Sequence, residues 1–251
     1  MNELNITKNS RLFAQLFDID NPKEEQPSDL FEKLECDIIA IKFNVTSKKQ
    51  IKTAADCLEK LLPEIKKPLM LYGTSDDEID QLLLPELTQK LDRQNCIISN
   101  ANEKTYKTII PTVIDGRHYI ILKSPIDINL AKELNILAVD MGIPLDKIIM
   151  NTDIGGLGYG YEYGFSIMEK VIIEGNNGDP YLNRPLLSDA AIESLKTKEA
   201  KSKDFSSSWG TLEKRTQMIE LSAAAGIFAA GANIITLTYA ENISIMKGLL
   251  K

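Results

Sequence analysis

Histidine is all but missing from this sequence: His118 is the only one in 251 residues. Ser-His-Asp, Cys-His and histidine-rich metal constellations all depend on imidazole, so one copy leaves them little room. Cysteine is nearly as scarce. Cys36, Cys57 and Cys96 stand far apart with no Cys-x-x-Cys pair. That pattern argues against an iron–sulfur cluster or a zinc site in this chain, and an odd thiol count suits a reducing, cytoplasmic compartment. Positive charge is also short: 29 Lys and Arg against 36 Asp and Glu, a net −7. This gives no electrostatic case for nucleic acid or an anionic membrane. No window approaches the roughly 18 uninterrupted apolar residues of a membrane span. Residues 1–5 have neither the basic nor the apolar stretch of a secretory signal. Pro/Ser linkers and low-complexity tracts are lacking too, so one domain over residues 1–251 is expected, with 1–10 as a short N-terminal tail.

What is present is repetition. Short β-prone runs recur at residues 12–17, 37–43, 68–73, 96–101, 118–123, 147–151, 185–188 and 233–239. Several are nearly continuous in Ile, Val, Leu and Phe, as strands buried on both faces of a parallel sheet require. Helical stripes lie between them. Ile51, Ala54, Ala55, Leu58 and Leu61 form one, and Ile79, Leu82, Leu83, Leu87 and Leu91 another. Strand–helix alternation implies right-handed parallel crossovers, and eight such units in one domain predict an α/β fold, a single (β/α)8 TIM barrel. Helix signals agree: residues 74–77 can cap the helix that follows, Gly142 ends one predicted over 128–141, and Gly231 ends one over 211–230. The polar, proline-punctuated stretch 21–28 is expected to be an exposed loop.

A barrel of this kind carries its site at the C-terminal ends of the strands. Reading those ends gives Asp18, Asp20, Asn44, 72–75, Asn100, Asn102, Ser124, Asp127, Asn151, Asp153, Ser188, Asp189, Thr238 and Tyr239. This rim is rich in amides, hydroxyls and carboxylates and poor in cations. The bland alternative for each of these is helix capping. His118 opens its strand and so belongs to the opposite, stabilising end; no catalytic role is expected for it. No pair of acids has diagnostic metal-site spacing.

The most unusual stretch follows the sixth strand: Gly155-Gly156-Leu157-Gly158-Tyr159-Gly160-Tyr161-Glu162-Tyr163. A dinucleotide-type G-x-G-x-x-G fails in both frames, since Tyr161 or Tyr163 takes the third glycine's place, and a Walker A fails because Tyr161 follows Gly160. What remains is a loop whose backbone a large flat ligand or another protein can approach closely, with an ordinary glycine turn as the alternative.

That stretch resembles the Gly-Ala-Leu-Gly-Tyr-Gly-Ile-Glu-Tyr signature of the delta subunit of the acetyl-CoA decarbonylase/synthase complex, the small subunit of the corrinoid iron–sulfur protein. The family's Ser-Pro-Ile-Asp-Ile-Asn-Leu-Ala-Lys run is matched letter for letter from Ser124 to Lys132. Further matches in order are Tyr106-Lys107, Gly142-Ile143-Pro144, Lys198-Glu199-Ala200, Trp209-Gly210 and Gly231-Ala232. The resemblance implies a barrel like the pterin-binding methyltransferases, paired with a large (gamma) subunit that carries cobalamin and the Fe–S cluster. A methyltransferase and CO dehydrogenase/acetyl-CoA synthase are further implied partners. It implies no catalysis by this chain, which shields a corrinoid at the subunit interface and binds no cofactor alone. The residues expected to face that corrinoid are Asn100, Asp127, Asn129, Asn151, Asp153, Gly155, Gly156, Gly158, Tyr159 and Gly160, with no catalytic residue and no metal ligand. A second reading is a stand-alone pterin-dependent methyltransferase whose Asn100, Asn129, Asn151 and Asp153 hold the pterin; a third is an unrelated metabolite-binding or purely structural barrel. The chain departs from the family at Asn151-Thr152, where Asp-Pro is usual, at Leu195 and Ile219, where tryptophans are usual, and at Thr105 and Ala223. It also starts close to its first strand, without the family's longer N-terminal extension.

Overall fold

Side chains alternate across a strand, and that alternation divides the buried residues of this chain into two sets. One set, including Ala14, Leu16, Ile38, Ala40, Met70, Ile97, Ile121, Ile149 and Ile234, packs on itself. The residues between them, such as Phe13, Ile39, Leu71, Ile98 and Ile120, join a larger cluster with the apolar helix stripes. Two apolar surfaces on one parallel sheet are what a barrel wrapped in helices needs. The computed structural model describes residues 5–22, 24, 30–153, 157–158 and 160–250.

The strands are β1 (Leu12–Ile19), β2 (Ile38–Phe43), β3 (Leu69–Tyr72), β4 (Ile97–Ala101), β5 (Tyr119–Lys123), β6 (Ile148–Asn151), β7 (Leu187–Ser188) and β8 (Ile234–Leu237). All eight predicted runs form strands. They lie in the order β6-β5-β4-β3-β2-β1-β8-β7, every pair parallel, with β1 held between β2 and β8. Among the described residues the ring is completed between β6 and β7 by a single parallel bridge, Met150 to Leu186, where the Met150 N–H donates to Pro185 O at 2.8 Å.

Nine helices occur among the described residues: α1 (Ile51–Leu61), α2 (Asp77–Gln89), α3 (Tyr106–Asp115), α4 (Ile128–Asp140), α5 (Tyr161–Asn176), α6 (Ala190–Ser194), α7 (Lys198–Lys201), α8 (Leu212–Ala230) and α9 (Ala240–Gly248). Their ends follow the sequence signals. Asp76 caps α2 by accepting from the Glu78 and Ile79 N–H groups. Gly142 (φ 106°) follows α4, and Gly231 (φ 105°) ends α8; both are left-handed positions that favour glycine.

Residues 5–10, expected as part of a tail, are docked. Ile6 is 4% exposed and packs with the barrel's inner cluster. Asn233 Nδ2 donates to Lys8 O (2.7 Å) and Ser10 O (3.1 Å), while its Oδ1 accepts from the Leu186 N–H (2.8 Å). His118 sits just before β5, buried, with neither ring nitrogen hydrogen-bonded among the described residues. Burial, helped by Lys147, lowers its pKa to about 4. Of the expected loop at 21–28, residues 23 and 25–28 lie outside the described residues.

Candidate functional site at the barrel mouth

Continuing the alternation upward changes the chemistry of the barrel interior. Two residues beyond inward-facing Ala40, Ile121, Ile149, Leu187 and Ile234 stand Lys42, Lys123, Asn151, Asp189 and Thr236. Below this layer the lining is largely hydrocarbon; here it is polar. Tyr72 is its centrepiece. Its hydroxyl donates to Asp189 Oδ1 at 2.7 Å and lies 2.6 Å from Thr236 Oγ1. Asn151 Nδ2 donates to the other Asp189 oxygen at 2.8 Å. Burial and the Asp189 charge raise the Tyr72 pKa well above its ordinary value, so the phenol keeps its proton.

Three other buried acids hold the rim loops. Asp80, on α2, accepts from Thr74 N (2.6 Å), Thr74 Oγ1 (2.8 Å) and Ser75 N (3.0 Å). Gly73 leaves room for it, since a Cβ there would lie 2.5 Å from Asp80 Oδ2. Asp153 Oδ2 accepts from the Ser188 hydroxyl and from the Asp189 and Ala190 N–H groups at 3.0 and 3.1 Å. Glu220, on α8, accepts from Thr238 N (2.6 Å), Tyr239 N (3.2 Å) and Asn242 Nδ2 (2.8 Å). Burial raises the pKa of all three. For Asp153 the neighbouring Asp189 adds to the effect, bringing it to about 7. Asp189 is itself raised by burial, against the pull of Lys123.

Two adjoining cavities of about 270 and 190 Å³ open above this layer and share Gly73, Ser75, Asn100 and Lys123. The larger is walled by Lys42, Lys123, Lys196 and Lys201 as well as Asp18, Asp189 and Glu193. The rim is therefore not poor in cations. A reading of residues after each strand passes over the last inward-facing residue within it. Lysine last or next to last in an otherwise apolar strand, as in Tyr119–Lys123 and Ile38–Phe43, is the signal that finds these groups.

Of the expected site residues, Asn100 lines both cavities, and Asn151 and Asp153 lie buried just beneath. Asp127 and Asn129 line neither. Asp127 caps α4, accepting from the Asn129 and Leu130 N–H groups, and Asn129 is exposed on the helix's first turn. Gly155, Gly156 and Tyr159 lie outside the described residues. Gly158 (φ 85°) and Gly160 (φ 88°) are left-handed, and Gly160 leads directly into α5. Next to them Leu157 and Tyr163 are exposed, while the Tyr161 hydroxyl donates to Ala223 O at 3.1 Å. Among the described residues, no three His, Cys, Asp or Glu side chains gather as a metal site would require, and no helix is long and apolar enough to cross a membrane.

The fold matches known barrels. Dihydropteroate synthase from Thermus thermophilus superposes with a TM-score of 0.63 at 10% identity, over 97% of this chain and 94% of that one. The Coxiella burnetii enzyme, solved with pteroic acid, gives 0.62 at 14% identity, over 96% and 93%. At such identities the likeness is one of fold. In sequence, the chain is 26% identical over 204 residues to the acetyl-CoA decarbonylase/synthase complex subunit delta of Methanocaldococcus jannaschii, covering 81% of this chain and 50% of that one. With subunit delta 1 of Methanosarcina thermophila it shares 25% over 240 residues, 91% and 54% of the two chains. It thus spans about half the length of these relatives. The family model for the CO dehydrogenase/acetyl-CoA synthase delta subunit matches residues 10–247, and the chain belongs to that family.

Proposed function

We propose that this chain is the non-catalytic small subunit of a corrinoid iron–sulfur protein. It pairs with a large (gamma) subunit carrying cobalamin and an Fe–S cluster. The pair moves a methyl group from a methyl-tetrahydropterin to acetyl-CoA synthase in the reductive acetyl-CoA (Wood–Ljungdahl) branch of one-carbon metabolism. The observation that carries the non-catalytic part is the engagement of the buried acids at the mouth. Asp80, Asp153 and Glu220 each hold backbone N–H groups of a rim loop, and Asp189 is bonded to Tyr72 and Asn151. A general acid or base must reach the substrate's proton, and each of these four already commits carboxylate oxygens to protein donors, Asp80 and Asp189 doing so while lining the mouth cavities. Membership in the delta family and the relatives' names as complex subunits support a partnered role.

The residues present fit a corrinoid covered from this side and ligated from another. Left-handed Gly158 and Gly160 allow close backbone approach, exposed Leu157 and Tyr163 offer apolar surface, and the only imidazole lies at the far end of the barrel. The bound corrinoid supplies the cobalt that carries the methyl group; this chain's part is to exclude water from it. The test is anaerobic affinity purification from native cells with a cobalt assay and a visible spectrum. A cobalt- and iron-containing larger chain eluting in equal amount is expected; a colourless chain eluting alone overturns the proposal.

One observation favours the second reading, a stand-alone pterin-dependent methyltransferase acting on a corrinoid. Among the described residues Asn100 and Asn151 each bury a side-chain oxygen with no hydrogen-bond partner, and a pterin's aminopyrimidinone edge brings N–H donors. Methyl transfer by the purified chain to free cob(I)alamin, lost in Asn151→Ala, would establish that reading.

A further inference from the structure

A second concavity lies apart from the mouth and is larger than either mouth cavity. A groove of about 670 Å³ runs between α7 and α8 beside the glycine loop. Its floor includes Arg215, Met218, Ile219 and Ser222, spaced i, i+3, i+4, i+7, which is one stripe of α8. Leu157 and Trp209 flank it. Leu157, Met218 and Trp209 are 39, 44 and 56% exposed. Single exposed apolar side chains are ordinary, but three lining one groove mark an interaction surface.

The groove is firmly built. The buried Arg215 guanidinium donates to the carbonyls of Glu199 (2.6 Å), Ser202 (2.5 Å) and Gly210 (3.4 Å), tying α7 and the loop after it to α8. It also lies 4.9 Å from the Phe205 ring, which in turn meets Trp209 at 5.0 Å. Among the described residues neither Arg215 nor the lining Lys198 and Lys214 forms an ion pair. Glu199 is the one acid among the described lining residues. On a chain of net charge −7 this groove is locally positive.

Its position matters as much as its charge. Leu195, Lys196 and Lys201 wall the mouth cavity, while Thr197, Lys198 and Glu199 wall the groove. The segment from 195 to 201 is thus a ridge with the mouth on one side and the groove on the other.

We propose that this groove docks an amphipathic helix of the partner subunit, whose apolar face lies along the α8 stripe and whose flanking carboxylates meet Lys198 and Lys214. A bare helical stripe between two ridges takes another helix's apolar face, and the uncompensated cations select acidic flanks. Seated there, the helix holds the rest of its subunit over the mouth. The inference rests on the partnered reading above and adds where the partner is gripped.

The test measures the affinity of the purified chain for the purified cobalt-bearing large subunit, at low and high salt. Met218→Glu should weaken pairing at least about tenfold, as central interface residues do. Lys198→Glu with Lys214→Glu should weaken it severalfold and flatten its salt dependence. Leu82→Ser, an exposed position on α2, should bind as wild type, and thermal melts should show each variant folded. Pairing unchanged in both groove variants overturns the groove while the partnered reading stands. No pairing by the wild-type chain overturns both. Self-association of this chain that Met218→Glu abolishes would assign the groove to a second copy and overturn the partner's claim to it.

Discussion

The Tyr72 hydroxyl donates to Asp189 Oδ1 at 2.7 Å, joining β3 to the residue after β7 on the opposite wall of the barrel. The two are 117 residues apart in sequence. Tyr72→Phe removes the donor and leaves a buried carboxylate oxygen short of a partner. A loss of about 1.5–3 kcal/mol in unfolding free energy is expected, as for hydrogen bonds to charged groups. Thr236→Val should do less, since it touches only the phenol oxygen. Denaturant titrations of the two variants make the comparison.

Asn151 suits its neighbour because an amide can donate to Asp189 Oδ2. Asn151→Asp, which restores the residue usual in the family, sets two buried carboxyls face to face, so one must hold a proton. That shared proton raises a folded-state pKa. The variant's stability therefore falls, relative to wild type, as pH rises. Near-equality below pH about 4, the unfolded carboxyl's range, and a deficit of roughly 3 kcal/mol at pH about 8 are expected. A pH series of urea melts checks this; a constant difference would mean that the two carboxyls do not interact.

His118 has the opposite slope. Its pKa is lowered from 6.5 to about 4, so its contribution is complete above pH about 6.5 and is lost as pH falls through about 4. His118→Leu removes that dependence. Its stability relative to wild type should rise by on the order of 2–3 kcal/mol between pH 7 and 4. NMR titration of the imidazole gives an independent reading.

Gly226 lies inside α8, where alanine would ordinarily be better by about 1 kcal/mol. Here a Cβ would stand 1.8 Å from the Tyr161 hydroxyl oxygen. Gly226→Ala should therefore destabilise by about 1–2 kcal/mol through overpacking and loss of the Tyr161–Ala223 hydrogen bond. In a Tyr161→Ala background the same change should become stabilising. A double-mutant cycle reads the sign reversal.

Ile6→Ala opens a void at the inner cluster and should cost about 2–4 kcal/mol. Thermal melts check it; a change within about 0.5 kcal/mol, the range of surface positions, would mean that residues 5–10 are dispensable to the fold.

The strands were legible because their apolar runs are uninterrupted and evenly spaced, and even the two-residue β7 stands at its predicted place. The helix ends were legible because capping is local chemistry: Asp76 and Asp127 bind amides two and three residues on. The mouth was only half legible. Asn100, Asn151 and Asp153 follow from where strands end. The partners that fix their roles, Tyr72 with Asp189 and Asp153 with Ser188, come together only when the ring closes, which no local pattern encodes. Lys42 and Lys123 were within reach, since counting by twos along β2 and β5 points both inward. Ile6 was hidden because a lone apolar residue in a polar stretch has no period to reveal it.

A hoop pulled outward parts at its thinnest join. In this barrel β1 pairs with β2 over six positions and with β8 over four, whereas one bridge joins β6 to β7. Backbone pairing is thus sparsest at one seam, and amides there are expected to exchange with solvent ahead of those in β1 and β2. The seam runs beside Asn151 and Asp189, so a transient parting widens the mouth from one side. Whatever leans over that rim meets an opening whose direction is already set by the strand pairing.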